Sequence, residues 1–471
     1  MSWADAAISS LRPRMRVADL TGPERIIRAA GLKGEVVFAV ADAKTGTQLE
    51  AVGAGDGLPP ASVAKALTAL YALDVLGPEY RFETRLIADG PVENGILRGD
   101  LILAGGCDPV LDTEALARLA GNLKKAGIRE VRGAFKVYEG ALPYVRSIDP
   151  TQPDHLGYSP AVTGIALNFN RVHFEWKRGA SGYAVTMDAR TANYKPQVAM
   201  AKMQVVDRGL PVYTYETAAR LDKWTVARGA LGKGGARWLP VRKPSLYIGD
   251  VFRTLARVNG IVLGRVQVVR GAPQGNALVT HRSEPLRDIL RGMLKYSTNL
   301  TAEMVGMAAT RARGVRPDGL AASAAEMNRW AAGKYGMAGT AMVDHSGLGD
   351  ASRMTPGDLV QALVQARQDG ALRPLLKPFR LRNEKGQPIK DHPIRVDAKT
   401  GTLNFVSGLG GFMTAAGGAE LAFAIFTADT ARRATLSRAE RERPEGARSW
   451  NRRSRKLQQA LIERWGSVYG S

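Results

Sequence analysis

The stretch that most limits what this chain can become is "LPPASVAKALTALYALDVLGP", Leu58–Pro78. Pro59 and Pro60 lead into a helix predicted to run to about Leu76, where Gly77 and Pro78 stop it. Val63, Leu67, Leu70, Leu73 and Leu76, with alanines between them, make it apolar nearly all round. Such a helix has no face to offer water, so it must run through the middle of a domain with other elements on every side. The chain can supply that surrounding core: it has 471 residues, 45% hydrophobic and 23% charged. At about 100–200 residues per domain, two to four units are expected. No stretch reaches the roughly 18–20 continuous apolar residues of a membrane span.

The elements around this helix change character along the chain. Val36–Val40 and Thr47–Val52 read as two strands, with Asp42, Lys44 and Gly46 supplying the turn of a hairpin. Further on, "LRGDLILAGG" is a predicted strand, "TEALARLAGNLKKAGI" (Thr113–Ile128) an amphipathic helix and "EVRGAFKVYEG" another strand, together a small αβ unit. Residues 160–280 carry short strands and Gly/Pro turns, such as "VHFEW", "YAVTMDA" and "GRVQVVRG", and read as mainly β. From Ser283 helices dominate, with further helices at Leu320–Gly336 and Thr355–Arg367. Strands follow around Asp397–Thr402, Gly410–Ala415 and Leu421–Thr427, before a last helix with Trp450, Leu457, Leu461 and Trp465 at helical spacing. No low-complexity segment or repeat period is present.

Charge and cysteine narrow the function. A net charge of +22 favours anionic surroundings. The densest basic run, Arg432–Lys456, has no zinc-finger, RNP or helix-turn-helix pattern, so nucleic acid is not an expected partner. Cys107 stands alone, which excludes an internal disulfide, and no histidine is near it in sequence, so it is read as structural. The N-terminal "MSWADAAISSLRPRMR" has no apolar h-region, implying either a cytoplasmic protein or a mature form whose signal has been removed.

Three short motifs carry chemistry. Ser62 and Lys65 share one face of the first turn of the apolar helix. A serine hydroxyl needs a base, and a lysine becomes one when burial disfavours its ammonium form. The helix N-terminus adds a free N–H and a positive dipole for a developing oxyanion. Ser297-Thr298-Asn299 lies between two predicted helices and offers a hydroxyl and an amide two residues apart, for proton relay and substrate-amide binding. Lys399-Thr400-Gly401-Thr402 lies on a predicted strand and offers a cation, two hydroxyls and a glycine that lets another backbone approach, suited to a substrate carboxylate along a strand edge. Singly each motif also fits a helix cap or a turn. In this order and context they form the set used by penicillin-recognising serine acyltransferases. Ser62 and Ser297 are 235 residues apart and Ser297 and Lys399 only 102, so the αβ and β-rich regions read as insertions into one discontinuous catalytic domain.

With "PPASVAK", "LGPEYRFETRL", "LILAGGCDPVL", "YSPAVTGIALNFN", "SEPLRDILRGMLKYSTNLTAEM", "MVDHSGLGDASRMTP" and "KTGTLNFVSGLGGF", the chain resembles the D-alanyl-D-alanine carboxypeptidase/endopeptidase family of low-molecular-mass class C penicillin-binding proteins (peptidase S13), from about Val36 to Thr427. The resemblance implies an α+β multidomain fold. A penicillin-binding-protein/β-lactamase-like domain, an antiparallel sheet flanked by helices, would take residues 1–85 and 282–471. An inserted β-rich domain would take 86–98 and 155–281, and would itself carry a small αβ domain at 99–154. It implies Ser62 as acylated nucleophile, Lys65 as general base, Ser297 as proton relay, Asn299 as binder of the substrate amide and Lys399 as the source of positive potential. Thr400 and Thr402 would bind the terminal carboxylate, with Gly401 between them, and the N–H groups of Ser62 and Thr402 would form the oxyanion hole. Implied partners are peptidoglycan stem peptides, with β-lactams as inhibitors, in the periplasm or cell envelope. No metal or cofactor is implied. Association of the basic chain with an anionic wall or membrane surface, and a homodimer, are further expectations.

Two departures stand out. Cys107 occupies a position where relatives often have glycine, and Gly349-Asp350 follows Ser346-Gly347-Leu348 where they often have Ser-Arg. The second loop, with Leu348, borders the expected pocket for the substrate side chain, to which Asp154 and Tyr158 are also assigned. The rivals are a Ser-His-Asp hydrolase built on His345-Ser346, which lacks a G-x-S-x-G elbow, a β-lactamase, and a non-catalytic cell-wall-binding protein. One repetition also needs an explanation: "DAKTGT" occurs at Asp42–Thr47 and again at Asp397–Thr402, and only the second is expected to be functional.

Overall fold

The computed structural model describes residues 22–470. Its main sheet is antiparallel and six-stranded, in the order Lys377–Pro378, Arg395–Leu403, Val406–Thr414, Glu420–Ala428, Glu35–Asp42, Gln48–Val52. An early strand therefore pairs with a late one, Glu35 opposite Ala428 through Asp42 opposite Leu421. Side chains alternate across a strand, and Glu35–Asp42 uses both faces. Val37, Ala39 and Ala41 join the core that contains the apolar helix, whereas Phe38 and Val40 join one with Leu457, Leu461, Ile462 and Trp465 of the C-terminal helix Ala447–Val468. Phe38 and Phe423 meet the Trp465 ring at 5.7 and 5.8 Å between centroids.

The apolar helix is central, as its composition requires. A 3₁₀ turn, Ala61–Val63, opens into Ala64–Leu76, and every residue from Ala64 to Ala72 is buried. It packs against helices Leu286–Tyr296, Asn299–Ala312 and Leu320–Tyr335. Helix Pro356–Asp369 lies against the main sheet.

A second core is built from residues 86–266. Its five-stranded sheet has the order Val266–Val269, Phe135–Tyr138, Asp100–Ala104, Glu83–Asp89, Asn276–Arg282. That sheet draws strands from all three of the segments expected as separate domains, so the αβ unit of residues 99–154 does not close its sheet alone. Two three-stranded sheets account for much of the β-rich region. One expectation needs correction there: Pro244–Val258, inside the stretch read as mainly β, is a 15-residue helix. Its buried Tyr247, Ile248, Val251, Phe252 and Leu255 fall at helical spacing, but their aromatic and β-branched types also suit a strand. The N-terminal segment read for an export signal lies outside the described residues. Among the described residues no helix is long and apolar enough to cross a membrane.

Candidate active site

The three motifs converge where the start of the central helix, the Ser297 loop and the strand Arg395–Leu403 meet. Lys65 is fully buried. Its Nζ lies 2.9 Å from Ser62 Oγ, 2.7 Å from Asn299 Oδ1 and 2.7 Å from the Ser346 carbonyl oxygen. An ammonium has three protons for these three oxygens. A neutral amine has two, which Asn299 and Ser346 can accept, leaving its lone pair directed at the Ser62 hydroxyl. Burial brings the Lys65 pKa down to about 8, although the Asp344 and Glu303 carboxyls pull the other way. The Ser62 N–H lies in the first turn, where backbone donors have no partner inside the helix.

Ser297 ends the helix Leu286–Tyr296 in the left-handed conformation (φ 58°, ψ 42°). A non-glycine residue is rarely held there without a compensating role. The abrupt stop separates this helix from the next, which begins at Asn299. Ser297 Oγ accepts from Lys399 Nζ at 3.0 Å. The Asn299 amide is fixed at both ends, since Oδ1 faces Lys65 and Nδ2 donates to the Tyr158 carbonyl at 3.0 Å.

Lys399 is only 2% exposed. Burial first, then repulsion from Lys65 and Lys377, holds its pKa well below the ordinary lysine value. Gly401 explains how the strand comes so near the nucleophile. A Cβ at that position would stand 2.6 Å from the Pro60 carbonyl oxygen and 3.0 Å from Ser62 N, so only glycine admits this approach.

Beside these groups is a cavity of about 260 Å³ lined by Ser62, Ser297, Asn299 and Thr402, with Leu348 and Tyr158 among its walls. Thr400 faces a different, larger cavity, shared with Ser297 and Lys399. Asp154 lines neither; its carboxylate is taken by Arg438 at 3.0 Å and Arg146 at 3.5 Å. The walls also include Gln152, Arg433, Arg441 and Glu442, which the sequence reading did not single out. Arg433 and Arg441 belong to the basic run already noted, and both bind Asp350, Arg441 at 2.5 Å. Burial opposes the charge on Asp350, but the two arginines outweigh it and hold its carboxyl below the usual range. The departure at Asp350 thus anchors one wall of the cavity.

The Ser346 carbonyl that positions Lys65 has its own support. Glu303 accepts from the N–H groups of His345 and Ser346, each at 3.0 Å, and Asp344 accepts from Gly347 and Gly349, each at 2.6 Å. Burial pushes both carboxyls upward, and Asp344 adds repulsion at Glu303. Glu303 did leave a trace in the sequence: it is an acid inside the otherwise apolar "LTAEMVGMAA". His345 packs inward with Nε2 2.7 Å from Ser323 Oγ, and burial drives its pKa to about 3, so the Ser-His-Asp rival has no usable base there. Burial pushes the Cys107 thiol up to about 12, as suits a structural residue. Lys44, in the first hexapeptide copy, is exposed.

Residues 24–443 match the D-Ala-D-Ala carboxypeptidase 3 (S13) family. Among sequence relatives, the D-alanyl-D-alanine carboxypeptidase of Actinomadura sp. (strain R39) is 26% identical over 452 residues, covering 85% of this chain and 79% of the relative. The D-alanyl-D-alanine carboxypeptidase DacB of Haemophilus influenzae is 27% identical over 389 residues, covering 78% and 79%. The crystal structure of penicillin binding protein 4 from Haemophilus influenzae matches the fold with a TM-score of 0.76 at 20% identity, over 94% of this chain and 100% of that one. That protein has also been solved in complex with a β-lactam, and that structure matches with a TM-score of 0.73 at 20% identity, again over 94% and 100%. The sequence match spans nearly all of both cores, and on that basis the chain belongs to the D-Ala-D-Ala carboxypeptidase 3 (S13) family and is a serine-type D-alanyl-D-alanine peptidase.

Proposed function

We propose that this peptidase cleaves D-alanyl-D-alanine bonds and D-alanyl cross-links of peptidoglycan stem peptides through an acyl-enzyme at Ser62, and that β-lactams acylate the same oxygen. The observation that carries the reading is the buried Lys65 amine, 2.9 Å from Ser62 Oγ with its pKa lowered to about 8. Neutral Lys65 takes the hydroxyl proton as Oγ attacks the carbonyl carbon. The oxyanion forms against the N–H groups of Ser62 and Thr402. As the C–N bond breaks, the departing amine receives a proton through Ser297, which touches Lys399 at 3.0 Å. Asn299 holds the amide on the acyl side, and Lys399, Thr400 and Thr402 hold the carboxylate beyond the scissile bond. Water, deprotonated along the same route, then cleaves the ester and restores Ser62. Tyr158 and Leu348 contribute to the side-chain pocket. This chemistry supports a location at the cell wall, in the periplasm or envelope, where the net charge of +22 would favour contact with anionic polymer.

Labelling with a fluorescent penicillin tests the assignment. Wild type should carry one covalent adduct on the peptide containing Ser62, and Ser62→Ala should carry none. Equal labelling of the two proteins, or labelling of neither, would overturn it.

A further inference from the structure

Lys65 is gripped by a peptide group whose far end is held by an acid. Its Nζ lies 2.7 Å from the Ser346 carbonyl oxygen, and the N–H of that same peptide unit, carried by Gly347, donates to Asp344 Oδ1 at 2.6 Å. The C=O and N–H of a trans peptide point opposite ways. A hydrogen-bonded line therefore runs from Ser62 Oγ through the Lys65 amine and one amide to a carboxylate. The N–H groups of His345 and Ser346, just before this amide, end on Glu303. The loop that carries it is wedged in place. Gly347 takes φ +75°, and a Cβ there would run into the Ala61 carbonyl oxygen beside the nucleophile. A Cβ on Gly306 would run into the His345 ring. Thr68, one turn beyond Lys65, donates to the His345 carbonyl at 2.6 Å. Asp344, Glu303 and Lys65 are all buried. Buried charges of one sign need a partner of the other. Asp344 repels Glu303, Asp149 repels Asp344, and Lys65 is the cation that offsets both acids. The remaining ionisable neighbours are Lys399, which repels Lys65 from the strand Arg395–Leu403, and His345, which burial keeps neutral.

We propose that Asp344, backed by Glu303, is a positioning residue for Lys65: it aims the Ser346 carbonyl at the amine and balances the ammonium charge that appears as Ser62 is acylated. The inference rests on the catalytic reading above. When Ser62 Oγ bonds to the carbonyl carbon, its proton passes to Lys65 Nζ. Positive charge then forms on the amine and negative charge on the substrate oxygen, and in a water-poor site each needs fixed compensation. The N–H groups of Ser62 and Thr402 serve the oxyanion. The Asp344 carboxylate serves the ammonium through the intervening amide, whose dipole it strengthens. Asp344 neither gains nor loses a proton in this step; the proton stays on Lys65 until it moves toward the departing nitrogen. The arrangement also solves a problem that burial creates. Burial alone disfavours the ammonium and would leave a lysine too weak to take a serine proton. The two acids, Asp344 before Glu303, oppose that effect and leave the Lys65 pKa at about 8, near the working pH that suits a general base.

The test measures the rate of acylation by a fluorescent penicillin against pH in wild type, Asp344→Asn and Glu303→Gln, with the melting temperature of each. Asparagine keeps the shape of aspartate and an oxygen for the Gly347 N–H, but carries no charge. The midpoint of the acid limb should therefore fall by about one pH unit or more in Asp344→Asn, because the ammonium loses its counter-charge. The plateau above the limb should fall by about tenfold or more, because a weaker base takes the Ser62 proton less readily. Glu303→Gln should move the midpoint in the same direction. It lies on a different element, so it carries the prediction if Asp344→Asn does not fold. A purely structural role would lower the melting temperature and the plateau and leave the midpoint where it is. A midpoint at or above the wild-type value in the folded variants therefore overturns the proposal, whatever happens to the plateau. Absence of an acid limb near pH 8 in wild type, or of acylation at any pH, would instead overturn the catalytic reading that assigns Lys65 as base.

Discussion

The same six residues, Asp-Ala-Lys-Thr-Gly-Thr, fold in two opposite ways in this molecule. At Asp42–Thr47 they round a hairpin: Asp42 Oδ1 accepts from Lys44 N at 2.9 Å and Thr45 N at 2.7 Å, Gly46 takes φ +76°, and Lys44 points into solvent. At Asp397–Thr402 they run straight as a strand paired along its length with Val406–Thr414, with Lys399 2% exposed and bonded to Ser297. Asp397 there answers Arg373 at 3.0 Å rather than its own backbone. Side-chain chemistry is identical, so the difference comes from the flanks. The first copy ends a strand, Glu35–Asp42, that pairs with Glu420–Ala428 on one side and turns back into its own return, Gln48–Val52, on the other. The second lies inside the strand Arg395–Leu403, and after a turn at Asn404–Phe405 the strand Val406–Thr414 pairs back along it and holds it extended. A motif is a hypothesis until its backbone is known.

The largest effect should therefore be asymmetric between the two lysines. Lys399→Ala is expected to lower acylation by a fluorescent penicillin and peptide kcat/KM by at least about 100-fold, the scale of removing a preorganised electrostatic group. Lys44→Ala should leave both within about twofold, as for other surface substitutions. A large loss at Lys44 would break the comparison outright.

Glycine gives the next contrast. Gly401→Ala places a methyl 2.6 Å from the Pro60 carbonyl oxygen, so either the strand or the start of the central helix must shift away from Ser62. We expect a fall in acylation rate of about tenfold or more together with lost stability. Gly46→Ala meets only Val364 Cγ1 at 3.3 Å but must hold φ near +76°, which costs roughly 1–2 kcal/mol. Its melting temperature should drop while the acylation rate of the folded protein stays at the wild-type value. The two variants thus separate a close approach from a turn conformation within one shared hexapeptide.

How much of this was legible beforehand follows the same division between side chain and backbone. The central helix declared itself because nine consecutive buried residues, Ala64–Ala72, leave almost no polar periodicity. The Ser62, Ser297 and Lys399 motifs declared themselves by residue type and order. The groups that fix Lys65 and Asn299 in place are the carbonyls of Ser346 and Tyr158. Every residue has a carbonyl, so no sequence pattern could mark these two. Arg433 and Arg441 were visible only as part of a basic run; their partner Asp350 lies 83 and 91 residues away, a distance that local reading does not cross. Helix Pro244–Val258 was hidden for another reason, because its buried face is made of residue types that strands also favour.

The pH profile sharpens the comparison from the side of the base. Neutral Lys65 is the active form, and its pKa is about 8. Acylation should then fall by about tenfold per pH unit below that value and level off above it. Lys44→Ala should trace the same curve, because its side chain lies outside the site. A rate independent of pH between 6 and 8 would remove Lys65 from the role of base.

The smallest expected effect belongs to Asp42, whose hairpin role is the mirror of the catalytic one. Its two hydrogen bonds from Thr45 and Lys44 N–H groups hold the carboxyl below its ordinary value of 3.8, against a smaller opposing effect of burial. A carboxyl depressed in the folded state contributes stability above its unfolded pKa and loses it as pH falls through the folded value. Asp42→Ala should therefore cost about 1 kcal/mol at neutral pH, seen as a lower urea midpoint with an unchanged slope. The gap from wild type should narrow as pH falls below about 4, where the wild-type carboxyl is itself protonated. Acylation by penicillin should be unaffected throughout. If Asp42→Ala instead slowed acylation while leaving the midpoint in place, the first copy would have a part in the chemistry that its exposed turn gives no reason to expect.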